Sequence, residues 1–196
     1  MKVAIIDYGA GNVRSVLFAL ERLGAEAVLT DDYQTICTAD KIIFPGQGEA
    51  RSAMRHLQTR GLDKVIPNLK QPFLGICIGM QLLCQHSEEN DTKCLGVISQ
   101  KVRLFKGDGL KVPHVGWNTA AATDSKEQIW HQDSKYYYFV HSYFVETGAF
   151  TTLSCDYGNG FSAGLQKDNF YAVQFHPEKS GRAGELLLNQ FLKIKS

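Results

Sequence analysis

Residues 72–83 read P-F-L-G-I-C-I-G-M-Q-L-L, and this stretch decides the fold predicted for the 196-residue chain. The run PFLGI is typical of a short buried strand, and the following MQLLCQH is typical of a helix. Cys77 lies at the junction, two residues from a glycine on either side. Small neighbours allow the close backbone approach that a sharp turn from strand to helix requires.

The pattern G-I-C-I-G has the form of a nucleophile elbow, in which a strained turn exposes one reactive side chain. The first turn of the following helix directs free N–H groups and the positive end of its dipole toward the sulfur, which favours thiolate over thiol. A buried cysteine whose glycines serve only packing would give the same pattern. These residues alone leave both interpretations open. Cys84, farther along, is interpreted as packing.

Strands and helices alternate through the first half of the chain. The segments KVAIID, AEAVLT and KIIFPG predict strands, whereas VRSVLFALERLG and residues 49–60 predict helices. Such alternation is typical of parallel βαβ units with helices on both faces of the sheet. The second half is rich in aromatic and β-branched residues and predicts a strand-rich, partly antiparallel extension, followed by a final amphipathic helix near GELLLNQFLKI. We expect one α/β domain over residues 1–196.

Composition excludes several classes of protein. The net charge is +1 and no basic block occurs, so we expect neither nucleic acid nor a membrane surface as a partner. No apolar run has the length of a membrane span or a signal segment, which predicts a cytoplasmic protein. The five cysteines are irregularly spaced without a C-x-x-C pair, which predicts reduced thiols and no metal site. G-A-G-N lacks the third glycine of a dinucleotide fingerprint, and we expect no cofactor.

A general base for Cys77 must come from the six histidines. His176 ends an apolar strand in Q-F-H-P-E, and alternate residues of an extended segment point the same way, so Glu178 should lie beside it. A carboxylate beside an imidazole fixes its tautomer and stabilises its protonated form. Together these residues outline a Cys-His-Glu triad, although H-P-E alone also suits a surface turn.

The other histidines are weaker candidates. His114 and His141 lie in strand-like stretches, as core residues or near the site. The remaining three occur in polar surroundings that favour solvated side chains: His56, His86 and His131.

Acyl transfer also requires hydrogen-bond donors for an oxyanion. The stretch F-P-G-Q-G (residues 44–48) ends a predicted strand just before a helix, so in a parallel sheet it lies at the same edge as the elbow. Its glycines allow backbone N–H groups to turn toward a ligand. An ordinary turn between strand and helix remains an alternative for this stretch.

Taken together, G-I-C-I-G-M-Q, P-G-Q-G and Q-F-H-P-E resemble the class I, triad-type glutamine amidotransferases over nearly the whole chain. Further segments are similar to the glutaminase subunits of imidazole glycerol phosphate synthases: I-D-Y-G-A-G-N, V-P-H-V-G-W-N, F-V-H-S-Y and Q-K-D-N-F-Y-A-V-Q-F-H-P-E-K-S-G. The resemblance implies a three-layer fold with a mostly parallel central sheet.

The resemblance also implies roles for individual residues. Cys77 would attack the side-chain amide of glutamine, His176 would transfer protons, and Glu178 would orient His176. The residues implied in oxyanion or substrate binding are Gly46, Gln47, Gly48, Ile78, Gln81, Ser142 and Tyr143. Those implied at a partner interface are Asn12, Trp117 and Lys179.

The implied partner is a (β/α)8-barrel cyclase subunit, HisF, in a heterodimer. It would receive the ammonia and convert PRFAR to imidazole glycerol phosphate and AICAR in histidine biosynthesis. A paralogue that supplies ammonia for amidino-sugars of surface polysaccharides is an alternative, as is a stand-alone cysteine hydrolase. Gln47 departs from the family, which commonly has an apolar residue in P-G-V-G; a backbone donor is still present there.

Overall fold

The computed structural model describes residues 1–9, 13–107, 109–123 and 135–195. Its helices are α1 (Arg14–Arg22), α2 (Tyr33–Thr38), α3 (Ala50–Thr59), α4 (Leu62–Val65), α5 (Ile78–Leu83) and α6 (Gly181–Lys193), with short 3-10 turns at Ile66–Asn68 and Pro177–Lys179. Its strands are β1 (Lys2–Ile6), β2 (Glu26–Thr30), β3 (Lys41–Phe44), β4 (Phe73–Ile76), β5 (His86–Ser87), β6 (Thr92–Lys93), β7 (Lys101–Leu104), β8 (His114–Ala122), β9 (Lys135–His141), β10 (Tyr143–Val145), β11 (Thr151–Tyr157), β12 (Asn159–Lys167) and β13 (Phe170–Val173).

The central sheet has a parallel half and a mostly antiparallel half. Strands β2, β1, β3, β4 and β13 pair in that order, each parallel to its neighbour. Strand β12 then pairs antiparallel with β13, and the order continues through β10 and β7 to the short strands β5 and β6. Strand β11 branches from β12 to β8, which pairs with β9. The expected α/β fold with a strand-rich second half is confirmed.

Helices cover both faces of the parallel half. Alternate residues of β1 contribute to two separate cores, Val3 and Ile5 to one and Ala4 and Ile6 to the other, because successive side chains of a strand point to opposite faces. The first core contains the apolar faces of α1 and α6, and the second contains those of α3 and α5. The arrangement is therefore the expected three layers.

Short elements were missed by the periodicity argument. Helix α2 has only six residues and begins at an Asp32 cap whose carboxylate accepts the Thr35 N–H. Helix α4 and strands β5 and β6 are shorter still. Two to six residues span too few periods for an apolar pattern to be recognised. Among the helices of the described ranges, none is both long and apolar enough to cross a membrane.

Candidate active site

Cys77 forms the turn between β4 and α5 in a strained conformation, with φ 51° and ψ −110°. Few residues other than glycine adopt a positive φ, so the surrounding structure must hold the cysteine there. The flanking glycines permit this packing. A Cβ on Gly79 would overlap the carbonyl oxygen of Phe44, and one on Gly75 would lie 2.8 Å from the Gly79 carbonyl oxygen. The glycines on either side of the cysteine are therefore required by close backbone contacts.

The sheet brings His176 to the same edge as Cys77. Strand β13 pairs directly with β4, Val173 opposite Ile76, so the residues that follow both strands lie together. The His176 Nδ1 atom lies 2.9 Å from Glu178 Oε1, and the two side chains are 4% and 3% exposed. Backbone contacts hold the histidine, since its N–H donates to the Tyr138 carbonyl and its own carbonyl accepts the Ser180 hydroxyl proton. The expected side-by-side placement of imidazole and carboxylate is present, but the extended segment from which it was predicted is wrong, because Pro177–Lys179 form a 3-10 turn.

The charge of His176 depends on both neighbours. Burial by itself lowers its pKa, but the charge of Cys77 and a hydrogen bond to it outweigh burial, and Glu178 adds to the same direction. The net result raises the pKa from 6.5 to about 10. Near neutral pH the histidine is therefore protonated beside the sulfur, an arrangement that suits an imidazolium–thiolate pair.

A pocket of about 270 Å3 opens onto Cys77. This volume is just below the roughly 300–1,000 Å3 of sites for drug-sized ligands, so it suits a small molecule. Five of the predicted site residues line it besides Cys77: Gly48, Ile78, Gln81, Ser142 and Tyr143. Glu89 also lines it and contributes a carboxylate, which is held by the N–H of Ala50 at 2.7 Å. Burial raises the pKa of Glu89.

Gly46 and Gln47 lie outside the pocket lining, and each has a different neighbour. Gly46 packs beneath the elbow, where a Cβ would be 2.5 Å from that of Cys77. The N–H of Gln47 donates to the Tyr8 hydroxyl at 2.9 Å. That hydroxyl also lies 2.5 Å from the Gln47 carbonyl oxygen and 2.8 Å from that of Pro45. The Gln47 N–H is therefore bound to Tyr8 rather than available to an oxyanion.

Tyr8 itself is firmly held. It is 5% exposed and packs edge-on against Phe44. Burial raises the pKa of its hydroxyl, more than the hydrogen bond from Gln47 lowers it. The side chain therefore stays neutral. By contrast, the N–H of Ile78 belongs to the first turn of α5, where the helix supplies no acceptor, and Ile78 lines the pocket.

His114 and His141, left open by the sequence, form a buried pair. The His114 Nδ1 atom lies 3.0 Å from His141 Nε2, and His141 Nδ1 lies 2.8 Å from the Tyr143 carbonyl oxygen. Burial lowers the pKa of His114 to about 4 and that of His141 to about 3. His141 also lines the pocket. Both histidines are therefore neutral and orient the strand beside the pocket.

The three interface residues predicted by resemblance lie away from the pocket lining or outside the described residues. Trp117 is 56% exposed, and Lys179 is exposed on the 3-10 turn that follows His176. Asn12 lies outside the described residues.

Trp117 belongs to an apolar surface on the β8–β9 ribbon. Val115 pairs with Val140, and Trp117 pairs with Tyr138. We call this surface the ribbon face; its residues are Val115, Trp117, Tyr136, Tyr138 and Val140. Four of them are among the exposed large apolar residues, and Val140 also lines the pocket. The opposite side of the ribbon is buried, with Phe139 at 0% and Tyr137 at 5% exposure.

Sequence reasoning missed three residues around the thiol: Tyr8, Glu89 and Gln174. Gln174 is completely buried, and its Nε2 atom lies 3.6 Å from the Cys77 sulfur. A polar residue among the apolar residues that end strand β13 was the available signal for Gln174. Tyr8 likewise lies just after the end of a strand, β1. Nothing in the local pattern of Glu89 distinguishes it from a surface acid.

Comparisons with known proteins agree with this geometry. The family model described as "Glutamine amidotransferase class-I" matches residues 4–194. A Bacteroides thetaiotaomicron protein named "Imidazole glycerol phosphate synthase subunit HisH" is 52% identical and covers 99% of this chain and 100% of that protein. An Idiomarina loihiensis protein of the same name is 45% identical, covering 99% and 98%.

Solved structures support the fold. A crystal structure of a glutamine amidotransferase aligns with a TM-score of 0.77 at 18% identity, covering 97% of each chain. The structure of PurLQS from Thermotoga maritima aligns with a TM-score of 0.72 at 16% identity over 97% of each chain. With the family model matched over almost its whole length, this chain belongs to the class-I glutamine amidotransferases.

Proposed function

We propose that the chain is the glutaminase subunit of an imidazole glycerol phosphate synthase. It hydrolyses glutamine to glutamate and ammonia, and the ammonia passes to a (β/α)8-barrel cyclase of the HisF type in histidine biosynthesis. The observation that carries the proposal is the strained Cys77, which lines a small pocket and lies beside the His176–Glu178 pair. The HisH name of relatives that align over almost their full length supports the choice of pathway.

The pocket has chemistry suited to an amino acid substrate. Glu89 carries the negative charge among its lining residues and would pair with the α-ammonium group of glutamine. Gln81, Ser142 and Tyr143 contribute further polar groups along the pocket wall. Cys77 lines the same pocket, so the side-chain amide of a bound glutamine can reach the sulfur.

The first chemical step forms a thioester. The Cys77 thiolate attacks the side-chain amide carbon, and the carbonyl oxygen becomes an oxyanion that accepts a hydrogen bond from the N–H of Ile78, in the first turn of α5. Protonated His176 then gives its proton to the amide nitrogen, the C–N bond breaks, and ammonia leaves. Glu178 stabilises the positive charge on His176 before this transfer.

The second step restores the enzyme. His176, now neutral, removes a proton from water, and the resulting hydroxide attacks the thioester carbon. The C–S bond breaks, glutamate leaves, and Cys77 returns as the thiolate beside protonated His176. No further oxidant or reductant is needed, because both steps are acyl transfers.

The ribbon face supports a partner beside this site. Its exposed apolar side chains continue into the pocket at Val140, whose carbonyl oxygen is 3.7 Å from the Cys77 sulfur. Contiguous exposed apolar surface is typical of protein–protein contacts. A cyclase docked on this face would cover the pocket entrance and receive ammonia without its release. Lys179, exposed after His176, would lie at the edge of the same contact.

The thiol chemistry is consistent with a reducing compartment. All five cysteines are free. We therefore propose a cytoplasmic location, where thiols remain reduced.

A glutaminase assay with and without the purified barrel cyclase and its nucleotide ligand tests the proposal. We expect low turnover of the chain alone and strong stimulation by the liganded partner. Cys77→Ala should abolish glutamine use but leave ammonia-dependent synthesis by the cyclase intact. Trp117→Ala should weaken stimulation more than it changes basal turnover. High basal turnover that the cyclase leaves unchanged would contradict the proposed pathway.

A further inference from the structure

Gln174 lies directly beside the nucleophile but has no part in the mechanism above. Its Nε2 atom lies 3.6 Å from the Cys77 sulfur, and the side chain is fully buried after the end of β13. Its backbone N–H donates to the Ala163 carbonyl at 2.9 Å, which fixes the main chain. The effect of this buried amide on the sulfur depends on which end faces it, because the NH2 group donates a hydrogen bond and the oxygen only accepts one.

A relay of hydrogen bonds fixes that orientation. The Gln81 Nε2 atom donates to the Tyr143 carbonyl oxygen at 2.8 Å and to Gln174 Oε1 at 3.0 Å. The Tyr143 carbonyl can only accept, so the amino end of Gln81 must face it. Because the same amino group also faces Gln174, the oxygen of Gln174 points to Gln81 and its NH2 points to Cys77. The reverse orientation would place two donors against each other.

We propose that Gln174 stabilises the Cys77 thiolate by donating a hydrogen bond to the sulfur, and that Gln81 is a positioning residue that sets the direction of this donor. A thiolate is a stronger acceptor than a thiol, so a fixed N–H donor favours the charged form. The inference deepens the proposed function, because the thiolate is the form that attacks glutamine.

Titratable groups near the sulfur also influence its charge, and their contribution is distinct from that of Gln174. His176 contacts the sulfur and supplies the positive charge, with Glu178 behind it. Tyr8 lies near Cys77 but remains neutral because burial raises its pKa. His141, with its pKa lowered to about 3, is also neutral, and the remaining pocket acid is Glu89. Substituting one neutral amide by an apolar side chain leaves each of these groups in place.

The test measures thiolate formation without glutamine. Iodoacetamide alkylation is followed against pH by tandem mass spectrometry, whose fragment ions distinguish a label on Cys77 from one on Cys84 in the same peptide. Gln174→Met removes the donor at similar size. The midpoint should rise by about one pH unit, because a hydrogen bond to a charged group has about that effect on a pKa. A merely structural role would lower the melting temperature without moving the midpoint.

Gln81→Met tests the positioning role. The midpoint should rise in the same direction but by less, and the double variant should shift no farther than Gln174→Met alone. An unchanged midpoint in folded Gln174→Met protein would overturn the proposal, and additive shifts in the double variant would overturn the relay. If Gln174→Met does not fold, an unchanged midpoint in Gln81→Met refutes the relay by itself. Because alkylation needs neither glutamine nor partner, failure of the proposed glutaminase reaction would be recognised separately.

Discussion

Gly184, in the first turn of α6, packs against the segment that carries His176 and Glu178. A Cβ at this position would overlap the carbonyl oxygen of Pro177, and its next nearest neighbours are the Pro177 C and Cα atoms. All three are backbone atoms, which cannot rotate away as a side chain can. In Gly184→Ala, the helix and the 3-10 turn must therefore separate.

Two opposing effects determine the stability of Gly184→Ala. Helix propensity favours alanine over glycine by about 0.8–1.0 kcal/mol. Overpacking a tight contact costs about 1–3 kcal/mol. Since the contact is with backbone, we expect the upper part of that range and a net loss of about 1–2 kcal/mol in the free energy of unfolding. For a domain of this size, the melting temperature should fall by roughly 2–8 °C.

Activity should suffer more than stability. The 3-10 turn begins directly after His176 and contains Glu178, so its displacement moves the proton-transfer group away from the sulfur. A misplacement of about 1 Å costs on the order of a hundredfold in rate. We therefore expect glutaminase kcat, measured with saturating cyclase partner, to fall by about that factor.

Gly160→Ala is the matched control. Gly160 lies in β12 with nothing within 4 Å of an added Cβ, so both melting temperature and kcat should remain near the wild-type values. Calorimetry and the glutaminase assay on the same preparations make the comparison. If Gly184→Ala melted at a higher temperature with kcat unchanged, the close contact would not constrain the site and the reasoning would be wrong.

The other predictions concern the oxyanion loop and the charge of His176. Tyr8→Phe removes the acceptor of the Gln47 N–H and so releases this donor for the oxyanion. A neutral hydrogen bond contributes about 0.5–1.5 kcal/mol, so basal glutaminase kcat should rise about two- to tenfold. An unchanged or lower kcat would show that Tyr8 does not hold back an oxyanion donor. In the wild type, the stability contributed by the His176 charge is complete below its ordinary pKa of 6.5 and lost as pH rises through about 10. Cys77→Ala removes the largest cause of that raised pKa, so this loss should move to lower pH in urea unfolding. In this variant the NMR resonance of His176 should titrate at lower pH than in the wild type. Titration still near 10 would show that the Cys77 charge does not raise the pKa of His176.

Local sequence patterns predicted the reacting groups and the architecture around them. The turn at Cys77 was recognisable because glycine spacing and the change from strand to helix are local properties. Glu178 lies beside His176 as predicted, but the prediction assumed an extended segment, whereas Pro177–Lys179 form a 3-10 turn. The parallel pairing of β13 with β4, which brings both strand ends to one edge, was not predicted, because β13 belongs to the half of the chain expected to be partly antiparallel.

Contacts between residues distant in sequence decided the rest. The sequence offered Gln47 as an oxyanion donor, but its N–H binds Tyr8, 39 positions away. Gln174 donates to the sulfur only because Gln81, 93 positions away, fixes its amide. His114 and His141 were undecided until strand pairing placed both on the buried side of the ribbon. Hydrogen-bond direction and burial depend on which side chains the completed sheet brings together. The local pattern of apolar and polar residues does not specify these long-range contacts.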